Sequence, residues 1–235
     1  MSTKFTRRAP SGHVVGLEWP TRKLSSEVTG VRFAGSKYGR AFQIGTRGYH
    51  DDACRMLLES TTSKAIRVGR REVRLATAKD GASSIATLIG EYHEMMTVFS
   101  GPAPTEETIA GLFSVFDIAD TTEGLVARPT AATLLTTLNE NVMLVNDHFD
   151  SVDVPGPAFA KANLPKGKGA RSGRGGEVWR RQLPNTKGKA ARDYAYTLGF
   201  PSAIGQVMPG PATTEATDQH LLEWVDGMAI SWTKD

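Results

Sequence analysis

The chain predicts an α+β fold, mostly antiparallel sheet with a few amphipathic helices, and two related halves as a further expectation. Three observations carry that prediction. Apolar residues fall in short alternating runs between Gly, Asn and Pro turns, only a few segments repeat at helical spacing, and no strand–helix–strand rhythm runs through the chain. At 235 residues and 40% hydrophobic content, there is enough apolar material for a normal core.

The elements follow in order. Met1–Pro20 is expected as an extension, because Lys4, Arg7 and Arg8 are followed by no apolar run of signal-peptide or membrane-span length. Residues 28–34 and 40–46 alternate around Gly35, Tyr38 and Gly39 and predict a strand pair. Asp51 and Asp52 suit the start of a short helix reaching about Glu59, and 65–77 reads as a hairpin turning at Gly69-Arg70. Ile85, Leu88, Ile89, Tyr92, Met96 and Phe99 recur at helical spacing, which predicts an amphipathic helix over 83–99. Gly101–Pro104 ends it, and Thr105 with Glu106 and Glu107 starts another helix that buries Ile109, Leu112, Phe113 and Phe116.

Strands are predicted at 117–121, 124–128, 133–138 and 141–146, the last two turning at Asn139-Glu140-Asn141. Alternation places further strands at 177–183, 193–198 and 203–208. A helix over 214–226 buries Leu221, Leu222 and Val225, and a strand at 228–232 closes the chain. The expected organisation is an extension at 1–20 and two α+β halves, 21–128 and 129–235, the second with the basic loop 161–192, and one continuous domain is the alternative. A candidate repeat supports halves: Gly101–Thr108 and Gly210–Thr217 agree at all but two positions, and Arg70-Arg71 and Arg180-Arg181 fall at nearly the same offset. Both segments also solve the same turn-to-helix problem, so chance similarity is the competing explanation.

Charge is the most uneven property. Residues 161–192 hold ten Lys and Arg against one acid, Glu177, a balance of +9. With a total of +3, the remainder carries −6. The candidate binding residues of this basic arm are Lys166, Lys168, Arg171, Arg174, Arg180, Arg181, Lys187, Lys189 and Arg192. Pro165–Gly176 is Gly-rich and holds no apolar residue larger than alanine, so it is expected as a loop that stays free unless something holds it.

No cofactor is predicted. Gly167-Lys168 is followed by Gly169, and Gly188-Lys189 by Ala190, so neither supplies the hydroxyl of a P-loop; the spacing of Gly167, Gly169 and Gly173 misses the dinucleotide fingerprint. No metal site is predicted either. His93-Glu94 lacks a second histidine, since that position is Thr97, and Asp147, His148, Asp150 and Asp153 read as a turn-forming acidic run without the pattern of a calcium loop. Cys54 shares a helical face with Leu57 and Leu58 and reads as a small buried thiol. That single cysteine rules out an intrachain disulfide and favours a reducing compartment.

The functional expectation is a non-catalytic structural or protein-interaction subunit of a larger assembly, of virion or secretion-particle type, located in the cytoplasm or in the particle. Its partners are other protein subunits, further copies included, reached through the basic arm; no membrane partner is expected. Nucleic acid is the alternative partner, because Trp179, Tyr194 and Tyr196 lie among the arm's cations. That alternative asks that the charges and aromatics share one face. An enzyme whose site is assembled from distant residues is the third reading.

Overall fold

The structure is a computed structural model and describes residues 2–20, 23–35, 39–60, 63–130, 135–211 and 218–234. The fold is α+β, dominated by antiparallel sheet with a few short helices. The chain forms two compact units, each discontinuous in sequence. The first is built from 1–7, 13–27 and 141–235, and the second from 8–12 and 28–140.

In the second unit the strands are β3 (Leu24–Ala34, from Val28 onward), β4 (Gly39–Thr46), β5 (Ser63–Val68), β6 (Arg71–Thr77), β7 (Ser83–Ile89) and β8 (His93–Ser100). They run in the order β3-β4-β8-β7-β6-β5, each antiparallel to its neighbours. The expected pair at 28–34 and 40–46 is β3–β4, with Val31 opposite Phe42. The expected hairpin at 65–77 is β5–β6, where Gly69 takes φ +60, a left-handed turn conformation open to glycine at little cost. A two-stranded hairpin, β9 (Phe116–Thr121) with β10 (Gly124–Pro129), follows helix α2 (Glu106–Ser114). Thr105 caps α2 by accepting the N–H of Thr108 at 3.3 Å.

The helix expected over 83–99 is instead the β7–β8 hairpin, turning at Gly90–Tyr92. Both faces of this hairpin are covered. On one side Ala86, Leu88 and Met95 join Phe33, Phe42, Phe113 and Phe116, and on the other Ile85 and Met96 pack against Ala53 and Cys54 of helix α1 (Tyr49–Met56). A strand buried on both faces carries near-continuous apolar residues, and such a run imitates helical spacing. The aromatic contacts fix the larger core: Phe33 and Phe116 centroids are 4.6 Å apart, and Phe42 and Phe113 5.8 Å.

The first unit holds β1 (Ser2–Arg8, to Arg7), β2 (Val14–Pro20) and β17 (Ala229–Thr233) as one three-stranded sheet, so the N-terminal residues expected as an extension lie within a sheet. Along β2 the alternate residues Val15, Leu17 and Trp19 all point inward and are buried. Trp19 meets Phe5 at 4.8 Å and Trp224 of helix α4 (Asp218–Asp226) at 5.3 Å. The second sheet of this unit runs β13 (Ala170–Arg171), β14 (Glu177–Gln182), β15 (Tyr194–Gly199), β16 (Ile204–Met208), β12 (Ser151–Pro155) and β11 (Thr136–Asn146, from Asn141). A helix α3 (Pro157–Asn163) precedes the basic segment.

The turn expected at Asn139-Glu140-Asn141 does not form, because β11 runs straight through it. The reason is a tertiary partner: the Glu140 carboxylate accepts the Ser11 N–H at 2.9 Å and the Ser11 hydroxyl at 2.6 Å. Of the candidate repeat, Ala212–Thr217 lies outside the described residues. The two segments lead into different pairings, since β9 after α2 pairs with the next strand whereas β17 after α4 pairs with β2. No helix among the described residues is long and apolar enough to cross a membrane.

Candidate functional site

The basic segment forms the outer edge of the first unit's second sheet. Glu177 to Gln182 pair with Gly199 to Tyr194, and side chains directly opposite one another share a face. Arg180 therefore lies with Tyr194 and Tyr196 on one face, while Trp179 and Arg181 lie on the other, joined by Arg171 opposite Glu177. The charges and aromatics do not share one face.

Pro165–Gly176, expected to stay free, is folded against this ribbon. Ala170 and Arg171 pair with β14, the Trp179 indole N–H donates to the Gly167 carbonyl at 3.1 Å, and the Gly169 N–H reaches the Glu177 carboxylate at 3.2 Å. The Ser172 hydroxyl accepts the Gly176 N–H at 3.0 Å, and Asp226 of α4 accepts the Gly173 N–H at 2.8 Å. Arg174 is ion-paired with Glu18 of β2. Gly169 and Gly199 leave room for the Trp179 ring, since a Cβ at either would lie 2.8 Å from it. Apolar content within the segment was the wrong measure. Polar groups elsewhere in the chain hold its backbone, each such bond contributing about 1 kcal/mol.

The connection from Leu183 to Asp193 folds back across the opposite face. Tyr194 donates its hydroxyl to the Gly188 carbonyl and Tyr196 to the Ala191 carbonyl, both at 2.7 Å. Gly188 has φ +65, and a Cβ there would lie 3.0 Å from Gln182 and the Tyr194 hydroxyl. Asp193 accepts the N–H groups of Lys189 and Ala190, and Asp218 those of Ala191 and Arg192 at 3.1 Å. The Lys189 and Ala190 N–H groups hold the Asp193 carboxyl below the ordinary range. Burial pushes the Tyr196 hydroxyl up to about 12. A depression of about 480 Å³ beside this loop is lined by Lys187, Lys189, Arg192, Asp193 and Asp218.

The nine predicted cations thus divide by role. Arg174 and Arg192 are used internally, the latter 3.6 Å from Asp218. Arg180 lies over the Tyr194 ring at 4.7 Å. Lys166, Lys168, Arg171, Arg181, Lys187 and Lys189 are exposed and have no ion-pair partner among the described residues. The three aromatics are occupied: Tyr196 is buried, Tyr194 lies under Arg180, and Trp179 packs on Gly169 and Gly199.

The other chemical groups serve the fold. His93 Nδ1 is 2.8 Å from Asp120, whose carboxylate also accepts the N–H groups of Tyr92 and His93. Glu94 accepts the N–H of His50 at 2.7 Å and of Gly48 at 3.1 Å. His50 is buried with Nδ1 2.9 Å from Thr87 Oγ1 and Nε2 3.4 Å from Cys54 Sγ. Burial pushes the His50 imidazole down and the Cys54 thiol up, a neutral pair rather than an activated thiolate. In the acidic run, Asp150 accepts the Gly210 N–H at 2.8 Å and Asn141 bonds Asp153 at 2.5 Å, both holding backbone or neighbouring strands in place. Burial raises the Asp153 carboxyl against the opposing bond from Asn141.

Sequence reasoning missed the carboxylates that organise the basic surface. Asp218 and Asp226 sit at the two ends of α4, and nothing local in their sequence marks a partner some fifty residues earlier in the chain for Asp226. No protein-family model, curated protein or solved structure matches this chain.

Proposed function

We propose that this chain is a non-catalytic interaction subunit of a larger assembly and contacts an acidic partner through the basic surface at 161–192. The observation that supports the reading is the division of charge within that surface. Carboxylates Glu18, Asp193, Asp218 and Asp226 engage the segment's backbone and two arginines, and Lys166, Lys168, Arg171, Arg181, Lys187 and Lys189 stand outward with no ion-pair partner among the described residues. A surface whose backbone is already ordered loses little conformational entropy on binding.

Size-exclusion chromatography with light scattering, at low and high salt and with absorbance at two wavelengths, tests the proposal on the protein as purified from its host. The expected result is a mass above that of a single chain at low salt that falls as salt rises, and that is lost when Lys166, Lys168, Lys187 and Lys189 are replaced by Glu. A single-chain mass at every salt concentration, identical in the variant, would reject it.

A further inference from the structure

We infer that the acidic partner is a nucleic-acid phosphate backbone, bound without regard to base sequence; this rests on the acidic-partner reading above. Lys166 and Lys168 lie in the segment that crosses the Trp179 face of the ribbon, and Arg171 and Arg181 lie on that same face. Lys187 and Lys189 lie in the loop that crosses the opposite face, beside Arg180. The cations therefore form a belt around both faces of a sheet edge. A flat acidic protein surface meets one side of such an edge, whereas the two phosphate backbones that flank a duplex groove meet both sides.

Interfaces between proteins bury an apolar core and are depleted of lysine, while nucleic-acid interfaces are more polar and far more positive. The belt is rich in Lys, Arg and Gly, and the acids beside it, Glu177, Asp193 and Asp218, accept backbone N–H groups of the segment. Trp179 packs on Gly199, and Leu164 beside the same glycine stays partly exposed, a single apolar side chain among the cations.

Base recognition on single strands uses aromatic faces, and those of Trp179, Tyr194 and Tyr196 are occupied internally. What remains is charge, and charge without base contacts gives affinity through counterion release alone.

Fluorescence anisotropy with the full chain tests this, using two short mixed-sequence DNA duplexes of unrelated sequence and, separately, polyglutamate. The expected result is binding of both duplexes with equal affinity and a plot of log affinity against log salt with slope about −5. Replacing Lys166, Lys168 and Arg171 by Ala makes the slope shallower by about 2 to 3, and replacing Lys187 and Lys189 by Ala makes it shallower by about 2. These exposed side chains make no ion pair among the described residues, and circular dichroism of each variant verifies that the fold is kept. Loss from only one of the two sets, a strong preference for one sequence, or unchanged binding in both variants would overturn the inference. Binding of polyglutamate through the same cations with no binding of duplex would overturn it while leaving the acidic-partner reading standing. Binding of neither polyanion at low salt would overturn both.

Discussion

Asp218 accepts two backbone N–H groups and faces Arg192, so its removal strands two donors and a cation at once. We expect Asp218→Ala to cost about 1–3 kcal/mol in urea unfolding, and Asp218→Asn to cost less because one acceptor oxygen remains. His50 supplies a second prediction. Its pKa is depressed by burial, with Asp51, Glu94 and Glu72 opposing that shift and Arg74 reinforcing it. The unfolded state then takes up a proton before the folded state does, so stability is full above about pH 6.5 and declines as pH falls below it. Thermal melts should show that decline in the wild type and a flatter profile between about pH 6.5 and 5 in His50→Asn. Equal slopes in the two proteins would remove His50 from the account. Cys54 as a buried thiol was legible from its apolar neighbours. The His50 contacts were not, because Asp51 and Asp52 read as the helix start and left His50 outside it, whereas α1 begins at Tyr49 and sets residues 50 and 54 one turn apart, and Thr87 arrives from a strand.

At the scale of elements, the sequence was most legible where one face of a strand or helix meets solvent. The hairpin β5–β6, the cap of α2 and the strands β14 to β16 follow from alternation and turn residues. Thr105→Ala should therefore cost about 1 kcal/mol, read by chemical unfolding. Legibility failed at the β7–β8 hairpin, where cover on both faces erased the alternation, and at β11, where Ser11 stabilises a turn-prone triplet as strand. The hairpin carries its own test. A Cβ at Gly90 would collide with the Asp120 carboxylate and the His93 carbonyl, so Gly90→Ala should destabilise by about 1–3 kcal/mol. A neutral effect in unfolding experiments would contradict the packing of that turn against β9.

For the whole molecule, the charge map was readable from the sequence, while its meaning depended on structure. Counting gave a +9 segment and a −6 remainder, which suggested a loose arm seeking an acidic surface. Folded, part of the remainder's acid is directed at the arm itself, and a Gly-rich stretch becomes ordered by partners that no local rule reports. Binding through a preformed surface requires that the basic segment be folded before any partner arrives. Amide hydrogen exchange across 164–193 in the free protein tests this most directly. We predict protection at Gly169, Gly173, Gly176 and Lys189–Arg192, whose N–H groups are bonded to Glu177, Asp226, Ser172, Asp193 and Asp218. Exchange of the whole segment at the rate of an unstructured chain would contradict the account, and the basic residues would then be a tether rather than a surface.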